Sequence, residues 1–253
     1  MLFQNNHLPN SVVAYAQDYE HGKFEPYHAH NCAQLLHTLS GVIRVETRFG
    51  SWVIPPNRGM WIPAGIEHSL HMTGLVKVRT LFIDPLARAD LPHDCSVIDV
   101  SMLLKALIIE ALELPKDIVS GGRDERIIEL ILDELRRLSS VSFYVPLPSS
   151  DALASLCDHV SQRIAHDWTN ADGAHILGIS ERSVTRKFQQ EMSLTFAEWL
   201  RRKRLLLALE YLASGKSVLD TAILIGYDSP SAFSAMFKSR VGVSPTDYLL
   251  QSP

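Results

Sequence analysis

Four side chains around position 185 are of the types that read DNA bases. Arg182, Thr185, Arg186 and Gln189 recur at i, i+3, i+4 and i+7, so a helix over this stretch carries them on one face. Val184, Phe188 and Met192 fall on the opposite, apolar face. A guanidinium can bond guanine O6 and N7 together, and a threonine methyl can meet the thymine methyl. That chemistry assigns base reading to Arg182 and Arg186, with Thr185 between them; a phosphate contact is the other reading of Arg186. A second stretch, ending at Arg240, offers less. Its outward side chains are Ser231, Ala232, Ser234 and Ala235, which permit close approach but few strong bonds. Lys238 and Arg240 suit phosphates, which position a protein without reading sequence. In the other half of the chain His28 and His30 alternate, so an extended strand puts both imidazoles on one side.

Both base-reading stretches need a scaffold that presents them to a groove. Each follows a short apolar run and a glycine turn, at Gly178 and at Gly226. Each opens on Ser or Asp, residues that cap helix N-termini. Short helix, glycine turn and second helix form the helix-turn-helix pattern, whose second helix enters the major groove. Here the pattern occurs in tandem, joined by a helix-length run from Thr195 to Ala213. Two such helices in one rigid chain are expected about 34 Å apart, on successive major grooves. The richer face of the first predicts that it carries more of the base specificity.

Residues 151–253 resemble the DNA-binding domain of AraC/XylS-type transcription regulators. The resemblance rests on Gly178, Ser180, Arg186 and Phe188, the helix from Phe196 to Leu212, Ala222 to Tyr227, Phe233 to Lys238, Gly242, and Ser244-Pro245. The form Tyr227-Asp-Ser-Pro-Ser-Ala-Phe233 is similar to the subgroup whose N-terminal half is a cupin. Two departures stand out. The family usually has Gly where this chain has Ser193, and a left-handed turn there costs about 1 kcal/mol without it. It often has Arg at the position of Ala235. Gly173, inside the preceding helix, weakens that helix by a similar amount.

The chain has 253 residues, enough for two domains, and its hydrophobic content of 46% supports real cores. No apolar run approaches the ~18 residues of a membrane span, and the N-terminus shows no signal pattern. Three scattered cysteines argue against a disulfide framework and for a reducing cytoplasm. The formal net charge is −4, but residues 151–253 hold 11 basic and 11 acidic side chains. DNA affinity must therefore come from a local basic face. Arg182, Arg186, Lys187, the run Arg201-Arg202-Lys203-Arg204, Lys238 and Arg240 are its candidates; the run is equally readable as a solvated helix face.

Residues 1–98 read as short alternating strands broken by Gly and Pro. Eight of the eleven histidines lie before residue 94. His28-Ala-His30-Asn-Cys-Ala-Gln34, with Gly41 beyond, resembles the first cupin motif, with Gln34 where Glu is usual. Pro63-Ala-Gly65-Ile-Glu-His68 resembles the second. The resemblance implies a jelly-roll barrel in which both motifs face one cavity. His28, His30 and His68 would then offer three imidazole ligands, with Gln34 as a weak oxygen ligand, to a divalent transition metal. The same residues equally suit the polar lining of a small-molecule effector pocket, or a purely structural role. Trp61 has two readings, as a rigid cavity wall or as core. The run from Gly50 to Gly65 is similar to cupin-type AraC regulators that control membrane efflux transporters.

Residues 99–138 switch to helical spacing. Ile127, Ile128, Ile131, Leu135 and Leu138 form one apolar stripe, with Leu130 and Leu132 off it. The resemblance implies that this helical pair mediates homodimerisation; packing on the chain's own barrel is the alternative. Residues 139–150, rich in Ser and Pro, read as a linker, and residues 1–20 as an arm. The expected architecture is thus an all-β cupin with a helical pair, then an all-α double helix-turn-helix domain. The expected function is a sequence-specific DNA-binding regulator controlled by a small molecule, with RNA polymerase as a further partner. A metal-dependent cupin enzyme and an effector-independent regulator are the alternatives.

Overall fold

A computed structural model describes residues 8–141 and 143–250. The chain divides into two units: residues up to 142 without the tip 48–51, and that tip with residues 143 onward.

The alternating segments of the first unit become β1 (Val12–Tyr19), β2 (Phe24–His28), β3 (Ala33–Thr47), β4 (Gly50–Ile54), β5 (Arg58–Ile62), β6 (His68–Ile83) and β7 (Ser96–Asp99). The long strands β3 and β6 pair antiparallel and form the spine. β6 also takes β2 at its start, with His28 opposite His68, and β1 along its second half, from Tyr19↔Val76 to Val12↔Ile83. β5 lies on the other edge of β3 and passes the sheet to β7. The β3–β6 register shifts around Ser40, where the strands bend. Gly41 sits there at φ 70°, and a Cβ would lie 2.8 Å from the Leu75 carbonyl oxygen, so the bulge admits only glycine. The bend lets one strand pair serve two walls, which makes the unit a cupin-like barrel. The expected arm needs correction: residues 12–19 are a barrel strand paired throughout with β6, and residues 1–7 lie outside the described residues.

Two helices follow, α1 (Met102–Ala111) and α2 (Arg123–Leu135). Ser101 starts α1, its Oγ accepting from the Leu104 N–H at 3.0 Å and donating to Glu134 of α2 at 2.6 Å. Ile127, Ile128, Ile131 and Leu135 join a core with Leu81, Leu104 and Ile108. Leu132, expected off the stripe, is buried with them. It lies four residues after Ile128 and three before Leu135, so the buried sector is simply wider than one stripe. Leu130 is exposed.

Residues 139–150, expected as the interdomain linker, contain the change of unit and also short strands. They carry β8 (Ser140–Val141), paired with β7, and β9 (Tyr144–Pro146). The change of unit falls between 142 and 143.

The second unit continues with α3 (Asp151–Gln162), α4 (Asn170–Leu177), α5 (Glu181–Met192), α6 (Phe196–Ala213), α7 (Val218–Leu224), α8 (Pro230–Val241) and α9 (Pro245–Leu250). α6, about 27 Å long at 1.5 Å per residue, is its axis. α6 buries Trp199, Leu200, Leu205, Leu206, Leu209 and Leu212, and α5, α7 and α9 pack on it. Among the described residues no helix is long and apolar enough to cross a membrane.

Candidate nucleic-acid interface and barrel cavity

The first motif is built by local rules. Thr169 and Asp172 cap α4 reciprocally, with Thr169 Oγ1 and N–H both donating to Asp172 Oδ2 at 2.7 and 2.8 Å. Gly178 ends α4 in the left-handed region at φ 63°. Ser180 Oγ then accepts from the Ser183 N–H at 3.2 Å and starts α5. Val184, Phe188 and Met192 are buried, with the Phe188 ring 5.0 Å from that of Phe196. Burying that stripe turns Arg182, Thr185, Arg186 and Gln189 outward, and all four are exposed. Neither guanidinium is held by an ion pair among the described residues. The Thr185 hydroxyl is occupied, donating to the Glu181 carbonyl at 3.2 Å, which leaves its methyl for contact. Ser193 does adopt the left-handed conformation, at φ 56°. Gly173 is buried against α5, where a Cβ would sit 3.4 Å from Val184 Cγ1 and 3.5 Å from Leu156 Cδ2. Space does not require that glycine.

The second motif follows the same plan with tighter sterics. Ser217 caps α7 by accepting from the Asp220 N–H at 3.0 Å, and Ser229 caps α8 by accepting from the Ala232 N–H at 3.2 Å. Pro230 occupies the first turn, where no N–H is needed. The turn glycine, Gly226, has φ 82°, and a Cβ on it would run into the Ala165 backbone. Phe233 and Phe237 are buried, with ring centroids 5.6 Å apart. Ser231, Ala232, Ala235 and Lys238 are exposed.

Arg240 is not a free phosphate contact. Its guanidinium donates twice to Glu198, both bonds 3.2 Å, a fork-on-carboxylate geometry. Glu198 also accepts from Arg202 at 3.2 Å and lies 3.5 Å from Arg201. Burial pushes the Glu198 pKa up, but these arginines outweigh it and hold the carboxyl below its ordinary range. Arg204 donates to the backbone carbonyls of Ile164 and His166 at 3.2 and 2.8 Å, satisfying chain past the end of α3. The basic run is therefore largely structural. Sequence reasoning also missed Glu191, at the end of α5, which accepts from the N–H and hydroxyl of both Ser149 and Ser150 at 2.8–3.1 Å.

In the barrel, a cavity of about 250 Å³ is lined by Tyr15, Tyr19, His28, His30, Gln34 and Phe82, among others. Trp61 is not part of it. It is 1% exposed, packs in the core shared with α1 and α2, and donates its indole N–H to the Pro92 carbonyl at 2.8 Å. The aromatic wall comes instead from β1, whose Tyr15, Gln17 and Tyr19 alternate toward the cavity; that period-two spacing was the available signal. His30 lies just past the end of β2 rather than within it, yet its ring is 5.0 Å from His28 and 5.6 Å from His68. The two motif segments meet where the Gly65 N–H donates to the His30 carbonyl at 2.8 Å.

One ring nitrogen of each of His28, His30 and His68 lies within 4.8 Å of the others. His28 Nδ1 is 2.7 Å from the Pro26 carbonyl, and His68 Nδ1 is 2.8 Å from the Ile66 carbonyl. A carbonyl only accepts, so Nδ1 carries the proton and Nε2 keeps its lone pair. Burial lowers the pKa of His30 and of His68 to about 4, with the neighbouring histidines adding to the effect. Both are neutral at pH 7. His37, also lowered to about 4 by burial, sits apart with Nδ1 3.2 Å from the Arg58 carbonyl.

Residues 9–157 match the AraC-like ligand binding domain family, more than half of the chain, and residues 174–251 match a helix-turn-helix domain family. The HTH-type transcriptional regulator NimR of Escherichia coli K12 is 29% identical over 224 residues, covering 88% of this chain and 82% of that protein. The HTH-type transcriptional regulator GadX of the same strain is 25% identical over 234 residues, covering 88% and 78%. The solved structure of ToxT from Vibrio cholerae covers 96% of this chain and 99% of its own, at 17% identity and a TM-score of 0.41. These domains and curated relatives are regulators, not enzymes. The chain belongs to the AraC-type transcription regulators, a ligand-binding barrel followed by a DNA-binding pair of helix-turn-helix motifs.

Proposed function

We propose that this regulator reads its operator chiefly through Arg182 and Arg186 of α5, while α8 contributes close packing and the phosphate contact of Lys238. The observation that carries this reading is the pair of exposed guanidiniums on α5 with no ion-pair partner among the described residues. A small-molecule effector occupies the β1-walled cavity and alters how the DNA-binding unit is held. Tyr15, Tyr19 and Phe82 give the cavity flat apolar faces, and Gln34 and the histidines give it orienting polar groups, the usual composition of a ligand site. The protein acts in the cytoplasm as a homodimer through α1 and α2. Leu103, Ile109 and Leu130 are exposed on these two helices, which supports that assignment. RNA polymerase is a further partner, and the resemblance of residues 50–65 to regulators of efflux transporters supports a transporter gene as target.

Footprinting of the purified protein on its own promoter region tests the reading. Wild type is expected to protect a discrete site, and the Arg182→Ala/Arg186→Ala double variant to bind only nonselectively. A discrete footprint retained by the double variant would overturn the assignment of α5 as the principal reader.

A further inference from the structure

We propose that the Glu198–Arg240 pair is a positioning device: it fixes the angle of α8 relative to α5, and so sets the spacing between the two DNA elements that one chain accepts. The first turn of α6 is where both second helices are held. Phe196 and Trp199 of that turn meet Phe188 of α5, with ring centroids 5.0 and 6.1 Å away. Glu198 stands between them in sequence, and its two oxygens accept from the two terminal nitrogens of Arg240, each at 3.2 Å. Arg240 lies in the last turn of α8, at the end away from the Ser229 cap. A second helix of this kind meets base edges through its N-terminal residues. A tie at the far end of a 12-residue helix therefore controls the near end with a lever of about 18 Å.

A comparison within the chain shows that the carboxylate is diverted to this task. α4 and α6 open on the same Thr-x-x-acid pattern, Thr169 with Asp172 and Thr195 with Glu198. In each, the threonine Oγ1 accepts from the N–H of the acid three residues on. In α4 the acid completes the box by accepting from the Thr169 N–H at 2.8 Å. In α6 the acid bonds arginines instead, one of them 42 residues away in α8. Arg202 holds the same Oε1 at 3.2 Å and Arg201 lies 3.5 Å from Oε2, so the carboxylate is also oriented from its own helix. Two parallel bonds fix a direction, which a point charge does not. A surface ion pair adds little to stability; the role of this one is orientation. Orientation matters because one base pair moves the second groove by about 3.4 Å and turns it by about 35°.

The test uses full-length protein and the site it protects in its own promoter region, with one base pair inserted or removed between the two protected grooves. Wild type should discriminate against both altered sites. Coupled neighbours typically interact by a few-fold to about 100-fold, so Arg240→Ala should reduce that discrimination by roughly 10-fold. Arg240→Lys keeps the charge and loses the fork, and should reduce it as well with the salt dependence unchanged. With circular dichroism, this second variant covers the case in which the alanine variant fails to fold. Adding Glu198→Gln to Arg240→Ala should reduce the discrimination little further, since both remove one tie. A uniform loss of affinity over all three spacings would overturn the positioning role, as would an unchanged ratio in both Arg240 variants. Additive losses in the double variant would overturn the pairing. Wild type indifferent to spacing would overturn the proposal whichever residues of α5 read the bases.

Discussion

The two helix-turn-helix motifs share a plan and differ in what they offer to DNA. α5 and α8 each begin on a serine cap and follow a left-handed glycine; α5 buries Val184, Phe188 and Met192, and α8 buries Phe233, Phe237 and Val241. On α5 the outward face holds two arginines that nothing in the described protein engages. On α8 the outward face is Ser and Ala with Lys238, and Arg240 near the helix end is held by Glu198. Their backbones differ in the opposite sense. The second motif is sterically locked at Gly226, whereas the first carries an interior glycine and a left-handed serine. The helix proposed to read bases thus belongs to the motif with an interior glycine and a left-handed serine, and the helix behind the close-fitting Gly226 offers mainly Ser and Ala outward. On the proposed reading, specificity follows the free charges on each helix rather than the order of the motifs.

The largest expected effect tests the lock. Gly226→Ala drives a Cβ into the Ala165 backbone at φ 82° and should destabilise the DNA-binding unit by about 2–4 kcal/mol. Gly178→Ala, with open space around it, should cost only about 1 kcal/mol. Equal shifts in urea denaturation of the two variants would erase the contrast. Next in size, Arg186→Ala should cost about 1–3 kcal/mol of specific binding and relax preference at one base pair. Binding measured across a panel of operator substitutions checks this, and a uniform loss over all sequences would reassign Arg186 to a phosphate. A smaller effect compares two cations of α8. Lys238→Ala should lower the slope of log K against log salt by about 1. Arg240→Ala should leave the slope almost unchanged, because Glu198 already neutralises that arginine at 3.2 Å. The smallest concerns the interior glycine of the first motif. Gly173→Ala should raise thermal stability by about 0.5–1 kcal/mol, since the added methyl meets only ordinary contacts. A loss instead would mean that the α4–α5 approach needs the glycine.

Much of the candidate interface's geometry was legible in the sequence because its rules are short-range. Caps, left-handed glycines and the spacing of Val184, Phe188 and Met192 act within a turn or two of helix, so the outward face of α5 follows from the residues that must face in. The left-handed Ser193 was readable for the same reason. The barrel was harder. The histidine motifs pointed to the cavity, but Tyr15 and Tyr19 lay in a stretch that read as an arm, and Trp61 looked as apt for a cavity as for a core. A strand's alternation says which residues share a face, not which face turns inward.

By itself, then, the chain's order of residues determined that there are two helix-turn-helix motifs, which side of each second helix is exposed, and that histidines cluster in the first half. Tertiary structure alone decided which charges remain available. Glu198 meets Arg240 across 42 residues and Arg204 meets Ile164 across 40, so the basic run and the last arginine of α8 are spent on the fold. It also decided that His28 stands opposite His68, a pairing set by strand register. The physical reason is common to both. Coulombic and hydrogen-bonding partners are chosen by distance in space, within a few ångströms, and periodicity along the chain carries no information about neighbours brought together by folding.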